Sequence, residues 1–413
     1  MCRVTHDFSL SRRLVTKSAL LGSATLLLGA GGPAQAGSRA AAAAPARNDA
    51  VLRLPAPTGR HPVGCQSVYL VDTSRPDPLT PEFPVRELML TVFYPARDVT
   101  GLARAPQLPP RAAGLFGRIA PLGPLHLPAA GVDWRATLSH SFVGATPRPG
   151  RRPVLVYSPG GGDPRGWGTS LAEDLASHGA VVVTVDHPGD AAAVEFPDVT
   201  PFRRDRVRMT VLRGDPRDQP SLWRTVIDAR IADLHFVLDR FEHAADLPLP
   251  HGLARTLDLS RVGVYGHSAG GSAVTEVLFE NRRVRAGINL EGYLDYPPTT
   301  PGGAATPFPV TSEGVDRPLF LLGSAGFNRR REMDRSWSAL TTRSGRRVRT
   351  ERIADANHWI FTDYAAVLPQ LQTAGLMTAR QRNALIGTVS PTVSVPEIRH
   401  AVRGFFAQHL TAH

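Results

Sequence analysis

Gly266-His267-Ser268-Ala269-Gly270 sets a serine between two glycines at a spacing that suits a nucleophile. The run Val262-Gly263-Val264-Tyr265 before it reads as a buried strand, and Ser272 to Phe279 after it reads as a helix. A strand that turns abruptly into a helix forces the serine into a strained backbone conformation. Only glycine flanks let the two chain segments pass that closely, and Gly271 adds further space. Ser268 is then expected above the sheet at a helix N-terminus, where N–H groups and the helix dipole favour developing negative charge. A Gly-rich turn with an incidental serine would match the same five letters, but the flanking strand and helix argue against it.

Acyl transfer also needs two N–H donors aimed at the tetrahedral oxygen. One is the backbone N–H of Ala269, the residue after the nucleophile. The other is expected in Ser158-Pro159-Gly160-Gly161-Gly162, which follows the apolar run Val154 to Tyr157; Gly161 is the favoured donor and Gly160 the neighbour alternative. The general base is expected at His358, in Asp355-Ala356-Asn357-His358-Trp359 just after the last strand, in the chain order Ser, acid, His of α/β-hydrolases. Other histidines are worse placed: His178 ends a helix, His235 lies inside one, and His187 follows an earlier strand. Many α/β-hydrolases carry the acid after the strand that here is Leu319 to Leu322, but Gly323-Ser324-Ala325-Gly326-Phe327-Asn328 holds no carboxylate. Glu291 ends the preceding strand, in Ile288-Asn289-Leu290-Glu291-Gly292-Tyr293, and Asp295 is the alternative. The acid's work is to hold the imidazole tautomer and stabilise the imidazolium.

These residues need a frame. Glu87 to Tyr94 reads as a strand closed by Pro95. Val154 to Tyr157, Ala180 to Val185, Arg261 to Tyr265, Ala286 to Leu290, Leu319 to Leu322 and Val348 to Ile353 read as further strands. Helices are expected at Ser170 to His178 and along Leu222, Val226, Ala229, Leu234, Val237, Leu238 and Phe241, which recur near a 3.6-residue period. Such alternation implies an α/β-hydrolase fold: a mostly parallel sheet with helices on both faces. One domain is expected over 58–411, with insertions near 101–150 (apolar and Pro/Gly-rich) and 187–220 (polar, a lid or a solvated loop).

Composition narrows the class. Hydrophobic residues at 42% and charged residues at 20% are ordinary for a globular core. The net charge of +11 comes from dispersed arginine, with Lys17 the sole lysine. With no basic block or interleaved aromatics, nucleic acid is not an expected partner, although transient contact with anionic lipid surfaces is admitted. Ser11-Arg12-Arg13-Leu14-Val15-Thr16-Lys17, the apolar run Ala19 to Ala30, and Ala34-Gln35-Ala36 have the layout of a twin-arginine signal peptide over residues 1–36. The run is too short and too Gly-rich to span a bilayer, which needs about 20 apolar residues. An Ala/Pro-rich tether is expected over 37–57, and the mature protein is expected to be secreted. Cys65 then has no thiol partner in its chain.

The stretch from about Pro153 to Tyr364 resembles the platelet-activating factor acetylhydrolase family, including its bacterial lipase-like members. The likeness lies in the Ser158 to Gly162 loop with Leu171 to Gly179, in the Gly266 to Gly271 elbow, and in the histidine turn ending Phe361-Thr362-Asp363-Tyr364. In that family the acid follows the strand next after the nucleophile unit, which implies Glu291. The family normally has aspartate there, so the longer glutamate is expected to hold the imidazole slightly further off. The resemblance implies an ester hydrolase acting through an acyl-enzyme on lipid or phospholipid esters with short or oxidised acyl chains. No metal or cofactor is expected, since the chain lacks H-E-x-x-H, a Cys cluster and a phosphate-binding loop. Trp167, Phe327 and Trp359 are candidates for the acyl pocket, with core packing as their alternative. Competing readings are a polyester or cutin esterase, an amidase, and a non-enzymatic binding protein on the same scaffold.

Overall fold

The computed structural model describes residues 49–300 and 302–411. The expected signal peptide and residues 37–48 of the tether lie outside them. Strands β1 (Val63–Asp72), β2 (Arg86–Pro95) and β3 (Arg104–Pro106) precede helix α1 (Pro110–Ile119) and β4 (Leu138–Val143). Then come β5 (Arg152–Ser158), α2 (Thr169–Ser177), β6 (Val181–Asp186), the short β7 (Ala193–Glu195) and β8 (Val207–Met209), and the long α3 (Pro220–Glu242). The C-terminal half runs through β9 (Leu257–His267), α4 (Ala269–Glu280), β10 (Val284–Leu290), the two-residue β11 (Asp295–Tyr296) and β12 (Thr306–Pro307), and α5 (Pro309–Glu313). It ends with β13 (Leu319–Ser324), α6 (Arg330–Ser344), β14 (Val348–Ile353), α7 (Tyr364–Thr373), α8 (Ala379–Ile386) and α9 (Pro391–His409).

The main sheet has ten strands in the order β14-β13-β10-β9-β5-β6-β2-β1-β4-β3. From β6 to β14 all neighbours are parallel, while β2 is antiparallel to both β6 and β1. Alternation along each central strand feeds two cores. Val154 and Val156 face the cluster containing α3, α4 and α6, while Leu155 and Tyr157 face the one containing α2, α7 and α9. A sheet covered on both faces needs apolar side chains at successive positions, which explains why these strands read as continuous β-branched runs. The expected strands all form. The sequence pattern does not single out β1, where Gly64, Gln66 and Ser67 interrupt the apolar residues.

Three expectations change. Residues 50–57 are no free tether: Ala50 bridges Val132, and Leu52 and Leu54 are buried. Burying those two leucines favours docking by roughly 1.5–3 kcal/mol each, more than an Ala/Pro composition suggests. Within 101–150, β3 and β4 extend the sheet, and α1 delivers Phe116 to a buried cluster with Trp134 and Trp167. The 187–220 segment is not simply a solvated loop, because Arg203, Arg208 and Arg217 are buried and point inward. Arg203 pairs with Glu87, Arg208 with Asp77, and Arg217 with Asp295. Cys65 is buried, and burial pushes its thiol up to about 12, which removes its reactivity.

Glycine matters most where segments cross behind Ser268. A Cβ on Gly270 would overlap the Ser158 carbonyl, and one on Gly266 would overlap the Gly270 backbone. Gly214, with φ +81° and open space around it, differs in kind. Gly266→Ala and Gly270→Ala are expected to lose about 3 kcal/mol or more, or to fail to fold, and Gly214→Ala about 1 kcal/mol, as read from urea unfolding midpoints.

Candidate active site

β9 runs straight into α4, and Ser268 at the junction has φ 52° and ψ −121°. That conformation is costly for a residue with a Cβ, and it persists because the surroundings over-determine it. Ser268 N–H donates to Leu290 O at 2.9 Å, locking the turn to the end of β10. Gly292 passes so close that a Cβ there would overlap the Ser268 carbonyl. Ser268 is partly exposed while its neighbours His267 and Ala269 are buried.

His358 and Glu291 meet at this point. His358 Nδ1 lies 2.9 Å from Glu291 Oε2, so Nδ1–H donates to the carboxylate and Nε2 is left as the basic nitrogen. Glu291 is wholly buried and has φ 62°, a second strained residue one position beyond β10. Its oxygens are satisfied by Ser324, whose N–H and Oγ–H both donate to Oε1, the latter at 2.8 Å. Ser324 was not singled out from the sequence. It ends β13, next to the loop where many α/β-hydrolases keep the acid, and here it donates to a carboxylate just beyond β10. Asp295 does not approach the imidazole: its carboxylate pairs with Arg217 at 2.5 Å.

His267, the second residue of the elbow, is another group that sequence reasoning missed. Its Nε2–H donates to the His358 carbonyl at 3.0 Å, and the two rings lie 4.7 Å apart. Burial, and then the neighbouring His358, depress its pKa well below the ordinary value, so the ring stays neutral. Phe327 stacks on His358 at 4.5 Å, and Trp359 meets it edge-on at 5.5 Å. Both flank the imidazole. Trp167 is different. It is completely buried and stacked on Tyr364 at 3.9 Å, so it is a core residue and not a pocket wall.

Gly161 and Ala269 come together: a Cβ on Gly161 would lie 3.7 Å from that of Ala269 and 3.8 Å from Pro216. Pro216 thus brings the end of the 187–220 segment to the rim. Gly160 is walled in, with His267 Nδ1 and Asp163 Oδ2 each 2.9 Å from where its Cβ would be. A cavity of about 250 Å³ near Cys65, Phe93, Leu108 and Arg165 touches none of these groups, so the candidate site rests on hydrogen-bond geometry and not on cavity size. Among the described residues no His/Cys/Asp/Glu cluster suits a metal.

A family model for platelet-activating factor acetylhydrolase, isoform II, matches residues 47–207 and 249–411. The chain belongs to this family. A probable 1-alkyl-2-acetylglycerophosphocholine esterase of Arthroderma benhamiae is 28% identical over 374 residues, covering 86% of this chain and 87% of the relative. A platelet-activating factor acetylhydrolase of Gallus gallus is 22% identical over 391 residues, covering 87% and 84%. Among solved structures, a ferulic acid esterase from Streptomyces cinnamoneus is 32% identical with a TM-score of 0.67, covering 87% of this chain and 94% of the other. The fold is that of the α/β-hydrolases, and this family member is a carboxylic ester hydrolase.

Beneath Gly160, burial pushes the Asp163 carboxyl up to about 8, against the opposing pull of Arg230. The folded protein therefore keeps a proton there that the unfolded chain releases near pH 4. Asp163's contribution to stability is full below about pH 4 and is lost as pH rises towards 8. Asp163→Asn is expected to flatten the fall in melting temperature between about pH 5 and 8, as read by calorimetry across that range.

Proposed function

We propose that this family member hydrolyses carboxylic esters through Ser268, His358 and Glu291. The observation that carries the reading is the His358–Glu291 hydrogen bond at 2.9 Å beside a strained Ser268 at a helix N-terminus. Ser268 Oγ attacks the ester carbonyl while His358 Nε2 takes its proton. Glu291 holds the ring and stabilises the imidazolium. The N–H groups of Gly161 and Ala269 bind the tetrahedral oxyanion, and His358 returns the proton to the leaving alcohol. Water, deprotonated by the same nitrogen, then releases the acid from the acyl-enzyme.

The substrates we infer are lipid or phospholipid esters with short or oxidised acyl chains, in keeping with the names of the similar proteins. Phe327 and Trp359 beside His358 offer an apolar wall, and Pro216 narrows the rim. The exposed Leu102, Leu122, Leu138 and Val143 support transient contact with a lipid surface. Export through the twin-arginine layout of residues 1–36 completes the proposal, with one domain over the described residues. The likeness to a ferulic acid esterase, together with the aromatic ring stacked on His358, favours a second reading: esters of aromatic acids.

Labelling with a fluorophosphonate, followed by peptide mass spectrometry, is expected to place the adduct on Ser268 and to give none in Ser268→Ala. An adduct elsewhere, or none on folded protein, overturns the triad. Glu291→Gln is expected to lower kcat by about 10²–10⁴-fold, and Asp295→Asn to leave it within about threefold. The reverse pattern would make Asp295 the acid. In a kcat/KM panel, sn-2 acetyl phosphatidylcholine is expected to exceed both its sn-2 palmitoyl counterpart and methyl ferulate; a preference for methyl ferulate selects the second reading.

A further inference from the structure

Behind the candidate site lies another serine–histidine–carboxylate arrangement, here with an aspartate. Ser158 Oγ is 2.9 Å from His187 Nε2, and His187 Nδ1 is 2.9 Å from Asp233 Oδ2. All three are buried, and Asp233 is already held by Arg86 through bonds of 3.0 and 2.7 Å. Burial, and then Arg230, lower the His187 pKa to about 4, so the ring is neutral. With Nδ1–H on Asp233, Nε2 accepts the Ser158 hydroxyl proton. No substrate reaches this serine. The arrangement fixes the strand end from which the loop 158–162 departs.

Arg230, on α3 and also fully buried, completes the anchor. Its Nη1 donates to Ser158 Oγ at 3.1 Å and to Pro159 O at 2.6 Å, and its Nη2 donates to Gly160 O at 2.9 Å. Its Nε donates to Asp190 Oδ2 at 2.6 Å, and Asp190 Oδ1 accepts the Gly162 N–H at 2.7 Å. One guanidinium and one carboxylate therefore hold both ends of the glycine loop. The Gly160 carbonyl and the Gly161 N–H belong to one peptide unit, which is planar and trans, so the two point in opposite directions. By drawing the carbonyl inward, Arg230 turns the Gly161 N–H outward. A cation on the carbonyl oxygen also polarises the peptide and strengthens that N–H as a donor.

We propose that Arg230 is a positioning residue for catalysis, setting the direction and strength of the Gly161 oxyanion donor through the Gly160 peptide. This rests on the triad reading above. Arg230 touches no reacting atom and contributes only when charge develops on the oxyanion, so its loss reads in kcat and not in KM.

The test uses the full mature chain, with kcat expressed per site titrated by the fluorophosphonate so that misfolded molecules are not counted. In Arg230→Lys, kcat per site is expected to fall about 10–10²-fold with KM within about threefold. The Ki of a trifluoromethyl ketone, which mimics the tetrahedral species, is expected to rise by the same factor. Should that variant not fold, Arg230→Met combined with Asp190→Asn removes the buried charge pair together and carries the same expectations. Unchanged kcat per site and Ki in folded variants would leave Arg230 as a stability element and overturn the inference, as would a rise in KM alone. Wild-type protein titrating at a residue other than Ser268 would remove the triad reading and this inference with it, an outcome distinct from a normal wild type with insensitive Arg230 variants.

Discussion

The closest constraint in the molecule is steric: three backbone segments cross behind Ser268 with no room for a side chain among them. Gly266 and Gly270 let β9 and α4 turn past each other and past the Ser158 strand end, and Gly292 lets the end of β10 run against the Ser268 carbonyl. The strain at Ser268 and Glu291, both with positive φ, is held by this contact and by the Ser268 N–H to Leu290 O bond. Because β5, β9 and β10 are adjacent parallel strands, their C-terminal ends arrive side by side. The loop of candidate oxyanion donors, the candidate nucleophile and the candidate acid are thus delivered by three neighbouring strands.

Around that crossing, burial costs are met by pairing. Arg86, Arg230, Asp77, Asp190 and Asp233 are all removed from water, and each has charged or hydrogen-bonded partners at normal distances. Deleting one member of such a pair typically costs about 3–5 kcal/mol because the other is left uncompensated. These pairs tie the 187–220 segment and α3 to the loop 158–162, and Arg217 with Asp295 ties the same segment to the region after β10. A stretch that reads as polar surface is therefore part of the wall around the site.

Much of the frame was legible because it rests on local signals. β-branched runs bounded by turns mark the parallel strands, a 3.6-residue period marks α3, and paired glycines mark the elbow. The position of His358 after the last strand followed from chain order, and the choice of Glu291 over Asp295 gains its geometric support only from the contact with His358. Trp167 shows the opposite case: an aromatic close to the 158–162 loop in sequence turns away into the core, where Phe116, Trp134 and Tyr364 surround it.

By itself the sequence determined the strand–helix alternation, the elbow and the kind of chemistry they suit, since periodicity and glycine spacing act over a few residues. Tertiary structure alone decided what holds those groups: Ser324 beneath Glu291, His267 beneath the His358 carbonyl, and Arg230 behind the Gly160 peptide. The reason is physical. A hydrogen bond between residues tens of positions apart leaves no periodic trace, and an arginine on an amphipathic helix reads as solvated until the fold shows the carbonyl oxygens it was buried to meet.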